Sequence, residues 1–297
     1  MDWFGFKEFL IACLIFVPLE RLVAMHPEQK IFRRDWGNDL VCLFLNGFLI
    51  KLGLVILVVG VVAAAGWLMP AGVRASVAGQ PYWLQVAQMV IIGDIGFYCA
   101  HRAFHAVPWL WRFHAIHHSI EELDWLAAAR VHPIDQISTK AASLLPIFAL
   151  GFSEIAIAMY LTLYYWQSFL IHSNVRIRFG PLRWLLASPE FHHWHHSNDA
   201  QARNKNFAGQ LPLLDLLLGT LHMPRGKAPI RYGIDDPVPR RYALQLLYPF
   251  QRASEAGDAS RDADNNKYRA DFNEAGSSSP PSRPALTTDR FNAIGTA

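Results

Sequence analysis

Nine of the thirteen histidines fall in three short clusters: His101 and His105; His114, His117 and His118; and His192, His193, His195 and His196. Even scattering would place about one histidine in the stretches 101–118 and 192–196, so the clustering calls for a chemical reason. Positions i and i+4 (His101/His105, His114/His118, His192/His196) or i and i+3 (His114/His117, His192/His195) share a helix face, and each cluster is expected to offer two or three imidazoles to one point. Imidazole suits zinc, copper, iron and nickel, and a tetrahedral ion needs only four ligands. Eight or more such side chains imply two ions. His193 is rotated away from His192, His195 and His196, and is expected to support them or to meet substrate.

Two more histidines lie where they could complete the set. His172 ends an apolar stretch, and His132 precedes Pro133 at a loop or helix start. Acidic residues near the clusters are candidates to accept hydrogen bonds from ligand N–H groups, which would fix the tautomer and raise basicity. These are Asp94, seven residues before His101 on the same helix face, with Asp124, Glu190, Asp199 and Asp215. The third cluster has its own helix start: Ser188 is an N-cap, Pro189 a first helical residue and Glu190 a first-turn acid.

The elements that must carry these residues are apolar. The chain is 52% hydrophobic and 17% charged, against about 25% charged residues in soluble domains. An all-α membrane bundle follows, of about four spans, or of spans plus a hairpin that enters and leaves on one side. Residues 40–69 form the longest apolar run, broken only by Asn46 and Lys51, and about 20 apolar residues suffice to cross the hydrocarbon core. Residues 82–100 and 155–171 are further candidates; 8–25 is a shorter one that contains Pro18. Residues 137–151, with Pro146 inside, are expected to pair with 155–171 as the hairpin. Aromatic residues Phe97, Tyr98, Trp125, Tyr164, Tyr165 and Trp166 are candidates to line an apolar pocket.

Lys30, Arg33 and Arg34 in the linker 26–36, against Arg74 alone in the linker 70–81, orient the first linker to the cytoplasm. Following the spans from there brings all three histidine clusters to the cytoplasmic face, in a bacterial inner membrane or, in a eukaryote, the endoplasmic reticulum. The net charge of +3 is too small to suggest a nucleic-acid partner. Cys13, Cys42 and Cys99 lie in apolar stretches without paired spacing, which argues against both disulfides and a thiolate site. Residues 1–251 read as the membrane-embedded unit. Residues 252–297, rich in Ser, Asp, Asn and Pro, read as a disordered tail.

The order His-x3-His, His-x2-His-His, His-x2-His-His, with an apolar hairpin before the last, resembles the fatty acid hydroxylase/sterol desaturase superfamily of integral-membrane enzymes. Glu190-Phe-His-His-Trp-His-His-Ser-Asn-Asp, followed by Asn206-Phe-Ala-Gly and Asp215-Leu-Leu-Leu-Gly-Thr, is similar to its C-terminal signature. The resemblance spans about residues 9–248. It implies two iron ions, with zinc as a possible substitute, that activate O2 to hydroxylate or desaturate an unactivated C–H bond. The substrate would be a membrane lipid of sterol, fatty acyl, sphingolipid or ether-lipid type. Carried over position by position, the ligands are His101, His105, His114, His117, His118, His192, His195 and His196, then His172 and His132. No flavin, nicotinamide or haem motif is present, so electrons would come from a separate reductase, ferredoxin or cytochrome. The competing reading is a membrane metal transporter, which should place its ligands at the bilayer midplane on broken helices.

Overall fold

Prolines and serines set where the helices begin. Pro108, Pro133, Pro189 and Pro212 each occupy a first turn, where a missing N–H costs nothing, and the hydroxyls of Ser153 and Ser188 accept the N–H groups of Ala156 and Phe191. The computed structural model describes residues 5–224 and 227–251; the expected disordered tail, 252–297, lies outside them. The described residues form α1 (Phe6–Leu22), α2 (Trp36–Val41), α3 (Gly47–Leu68), α4 (Ala71–Ala78), α5 (Tyr82–Ala106) and α6 (Pro108–His118). After a 3-10 turn, Trp125–Ala129, follow α7 (Pro133–Leu150), α8 (Glu154–His172), α9 (Pro189–His196), α10 (Pro212–Leu217) and α11 (Tyr242–Leu247). No strand occurs among the described residues; two isolated bridges, Ala24 to Val175 and Ser197 to Tyr232, tie loops together.

Helices α5, α7 and α8 form the interior. Gly96 of α5 lies against the Ala142 backbone of α7, and Gly93 against the Tyr160 hydroxyl of α8, both too close to admit a Cβ. Met89, Ile147, Phe152, Ala156 and Tyr160 fill the space between the three helices. Gln85 at the start of α5 accepts from the backbone N–H and hydroxyl of Ser153, so one end of the trio is fixed at the α7–α8 turn. The opposite end gathers the last turn of α5, the first of α7 and the last of α8. That is where the histidines are.

Two helical stretches, Trp36–Ala64 and Tyr82–Ala106, are long and apolar enough to cross a membrane. The other expected crossings fall short of that measure on length or mean hydropathy: α1 has 17 residues with Pro18 inside, and the expected hairpin does not close, since α7 packs on α3 and α5 while α8 packs on α5 and α9. The outward surface is nonetheless apolar along α1, α3, α5 and α8, where Leu14, Ile56, Val59, Ile91 and Ile155 are all exposed. A belt of that extent on a protein surface marks contact with another apolar phase.

Below the histidine end, buried ion pairs fix the 3-10 turn. Arg33 donates to Asp39 and Asp124 (2.6 Å each), and Arg130 donates to Asp39. Glu20 of α1 accepts the N–H groups of Trp125 and Asn174, both at 2.9 Å.

Candidate metal centre

On each His-x2-His-His helix the first and last histidines are about 40° apart around the axis, while the middle one stands about 100° from the last. Three imidazoles therefore cannot all aim at one point, contrary to the expectation that each cluster would serve a single ion. The structure divides them. One group is His101, His105, His114, His118 and His195; the other is His117, His172, His192 and His196, with the ligand atoms of each group within 4.8 Å of one another. The i/i+4 pair of α6 joins the first group and its His117 the second. For α9 the pair joins the second group and its His195 the first.

For five of the nine rings, hydrogen bonds on the far side decide which nitrogen faces inward; the outer Nδ1 atoms of His192 and His196 have no such partner. Nδ1 of His101 meets the Phe207 carbonyl at 2.7 Å, that of His117 the Arg130 carbonyl at 3.0 Å, and that of His172 the Ser168 carbonyl at 2.7 Å. Nδ1 of His195 meets the Lys205 carbonyl at 2.8 Å, and that of His114 meets an Asp135 carboxylate oxygen at 2.8 Å. A carbonyl only accepts, so the proton is on Nδ1 and Nε2 carries a bare lone pair. Those lone pairs then point at one another: His101 to His114 at 3.0 Å, and His117 to His172 at 3.2 Å. Facing lone pairs repel unless a cation lies between them.

Other Nε2 pairs, His118 to His195 and His172 to His192, are 3.0 and 2.9 Å apart. Two nitrogens bound at about 2.1 Å and at right angles around one ion are about 3 Å apart, so the donor set fits a transition-metal ion in each group. Buried Nε2 of His105 has no hydrogen-bond partner and is a further donor for the first group. Burial pushes the ring pKa of His195 down to about 4, and burial with neighbouring histidines holds those of His114, His117, His118, His192 and His196 well below the usual value. All six are thus neutral and able to ligate at pH 7.

Several sequence candidates stand elsewhere. His132 is in neither group: its Nδ1 accepts the Ile134 N–H as a helix cap and its Nε2 meets the Leu246 carbonyl at 3.2 Å, leaving no nitrogen for a metal. His193 faces away, with Nε2 on the carbonyls of His172 and Ser173 and Nδ1 on the Tyr232 hydroxyl. None of the five acids singled out from the sequence touches a histidine of either group. Asp94 accepts the backbone N–H groups of Gly209, Gln210 and Leu211, and Asp215 those of Phe207 and Ala208. They hold the loop whose carbonyls, Lys205 and Phe207, receive His195 and His101, because five successive N–H groups there, buried or half-buried, need acceptors. Glu190 lies near Arg183, exposed Asp199 caps its own turn at Gln201, and Asp124 is spent on Arg33. The carboxylate that does support a ring is Asp135, which sequence reading missed; its place in the first turn after His132-Pro133 was the available signal.

The nine histidines form a wall between two spaces. On one side a narrow cavity of about 60 Å³ touches His101, His114, His117, His172 and His192, with Phe97, Tyr164 and Gln136 opposite. On the other, a polar cleft of about 470 Å³ touches His105, His118, His195 and His196, with Trp111, Arg203 and Asp236 around it. Of the expected pocket aromatics, Tyr165 and Trp166 line a hollow farther along the same path. Tyr98 and Trp125 instead belong to the core, against Phe207 and Phe16.

Residues 86–220, which include every histidine of both groups, match the fatty acid hydroxylase family. The chain belongs to the fatty acid hydroxylase/sterol desaturase superfamily. Among the superfamily relatives it is 35% identical over 173 residues to an ornithine lipid hydroxylase of Rhizobium tropici, covering 58% of this chain and 52% of that protein. It is 32% identical to the alkylglycerol monooxygenase of Homo sapiens over 49% of this chain and 32% of that protein. A putative methylsterol monooxygenase of Dictyostelium discoideum is 27% identical over 73% of this chain and 79% of its own length. The chain thus spans about half the length, or less, of the first two relatives. No solved structure matches it.

Proposed function

We propose that this protein is a membrane-associated oxygenase that holds two iron ions and hydroxylates a C–H bond of a membrane lipid. The observation that carries the reading is the histidine wall itself, two groups of neutral imidazoles, each gathered with its ligand atoms within 4.8 Å of one another, between a membrane-side cavity and a polar cleft. The first group holds five imidazoles, more than the four of a tetrahedral zinc site, and favours a redox-active ion with higher coordination. Two bound irons would supply the electrons needed to cleave O2. One oxygen atom enters the lipid as a hydroxyl and the other leaves as water, with an electron pair and protons from a separate donor.

The residues themselves bind, orient and exclude water. Asp135 and the carbonyls of Phe207, Lys205, Arg130 and Ser168 fix five of the rings, while Phe97, Tyr164 and Ile171 give the membrane-side cavity an apolar surface beside Gln136 and Thr139. The polar cleft is the side on which a soluble electron carrier could approach, and the positive charge of the linker 26–36 supports a cytoplasmic placement of that side. A metal-transport role lacks support, since the histidines lie at one end of continuous helices and not on broken ones. The test is growth of a host expressing the chain under 18O2, with its lipids analysed by mass spectrometry. A lipid gaining one 18O atom, and lost with His117→Ala, is expected; unchanged lipids, or a hydroxyl drawn from water, would refute an oxygenase.

A further inference from the structure

Two lysines stand in the path a lipid would take. From the cavity beside the histidines, hollows of about 610 and 550 Å³ continue outward between α3, α7 and α8, sharing Lys51, Leu54, Lys140, Leu161, Tyr164 and Tyr165. The farther hollow is otherwise walled by side chains such as Val55, Val58, Leu144 and Phe148. Lys140 makes no hydrogen bond or ion pair with any described residue, and Lys51 lines the same two hollows from α3. Glu8 also lines the nearer hollow, on Lys51's side beside Gly5. An ammonium group without a counter-ion in an apolar groove is costly. A side chain kept there at that cost implies an anion that arrives with the ligand.

We propose that Lys140, with Lys51 opposite, binds the acidic group of an anionic lipid whose chain lies in the groove. The proposal rests on the lipid-oxygenase reading for the role of the groove. Lys140 is five residues beyond Asp135, about 7 Å along the axis of α7, so the acidic group would be anchored within two helical turns of the residue that orients His114. Lysine is suited to this as a flexible point charge that accepts carboxylate and phosphate alike.

The full chain, purified with its metal in a non-ionic detergent, is offered equimolar oleate, dioleoyl phosphatidate and oleyl alcohol, and bound lipid is counted by native mass spectrometry. Wild type should retain an acidic lipid over oleyl alcohol by about tenfold, the ratio set by one partly desolvated ion pair. Whichever acid leads identifies the group as carboxylate or phosphate. The preference should vanish in Lys140→Met and persist in Lys140→Arg, with metal content unchanged; Lys140→Gln gives the same reading should the methionine variant not accumulate. Equal retention of oleyl alcohol by wild type, or an acid preference that survives loss of the Lys140 charge, overturns the site. Turnover is not the readout: a protein that selects acidic lipids but oxidises none would refute the oxygenase and leave the anion site standing.

Discussion

A histidine's inward nitrogen is decided by what its outward nitrogen touches, and here backbone carbonyls make most of that decision. Asp135 is the exception, a carboxylate on the His114 ring, and the only acid among the described residues that bonds a member of either group. Replacing it with asparagine keeps the shape but lets an amide N–H face the ring and removes the charge that raises its basicity. Asp135→Asn should weaken metal retention about 10- to 100-fold, measured by competition with a chelator. His132→Ala removes only a helix cap, costing about 1 kcal/mol of stability, and should leave metal content unchanged. Equal metal loss in the two variants would show that the outward hydrogen bond does not order the site.

At the scale of elements, three helices must converge within a small error for the two groups to form. α5 supplies His101 and His105, α7 supplies Asp135 and α8 supplies His172, and the contact of Gly96 with the Ala142 backbone sets how closely α5 and α7 approach. A methyl group there would push the helices apart near the ligands. Gly96→Ala should cost about 1–3 kcal/mol through overpacking, seen as a lower midpoint of thermal unfolding in detergent, with partial loss of metal. An unchanged midpoint would mean the helices slide freely. Helix α9 was legible from Ser188-Pro189-Glu190 and its histidine spacing. The exchange of ligands between α6 and α9 was not, because periodicity gives the angle between two side chains but not the point toward which a whole helix is turned. The roles of Asp94 and Asp215 were hidden for a related reason: they act through a loop more than a hundred residues from Asp94 in sequence, whose need for acceptors appears only once it is folded and buried.

For the whole molecule, the proposed orientation, argued from the positive charges of the linker 26–36, puts that linker and the histidine end on the cytoplasmic side and Arg74 opposite. Single cysteines at Glu28, Ser76 and Gln201, all exposed, in a background without Cys13, Cys42 and Cys99 test it in intact cells. A membrane-impermeant thiol reagent should label only position 76; labelling at 201 would reverse the orientation and close the proposed route for electrons. The helical bundle and the clustering of the histidines were readable in the sequence because lipid contact and metal binding each leave a compositional mark; that His172 joins a group while His132 caps a helix was not. The number of crossing helices was less so, since α1, α7 and α8 combine apolar faces with lengths that need not span, and the expected α7–α8 hairpin gives way to packing of each helix on α5. The central claim is that the nine histidines hold two ions divided as the structure groups them. Elemental analysis of protein purified anaerobically after growth in iron should find two irons per chain in wild type and about one in His117→Ala, which belongs to the second group alone. One iron or fewer in wild type, or an unchanged count in His117→Ala, would contradict it.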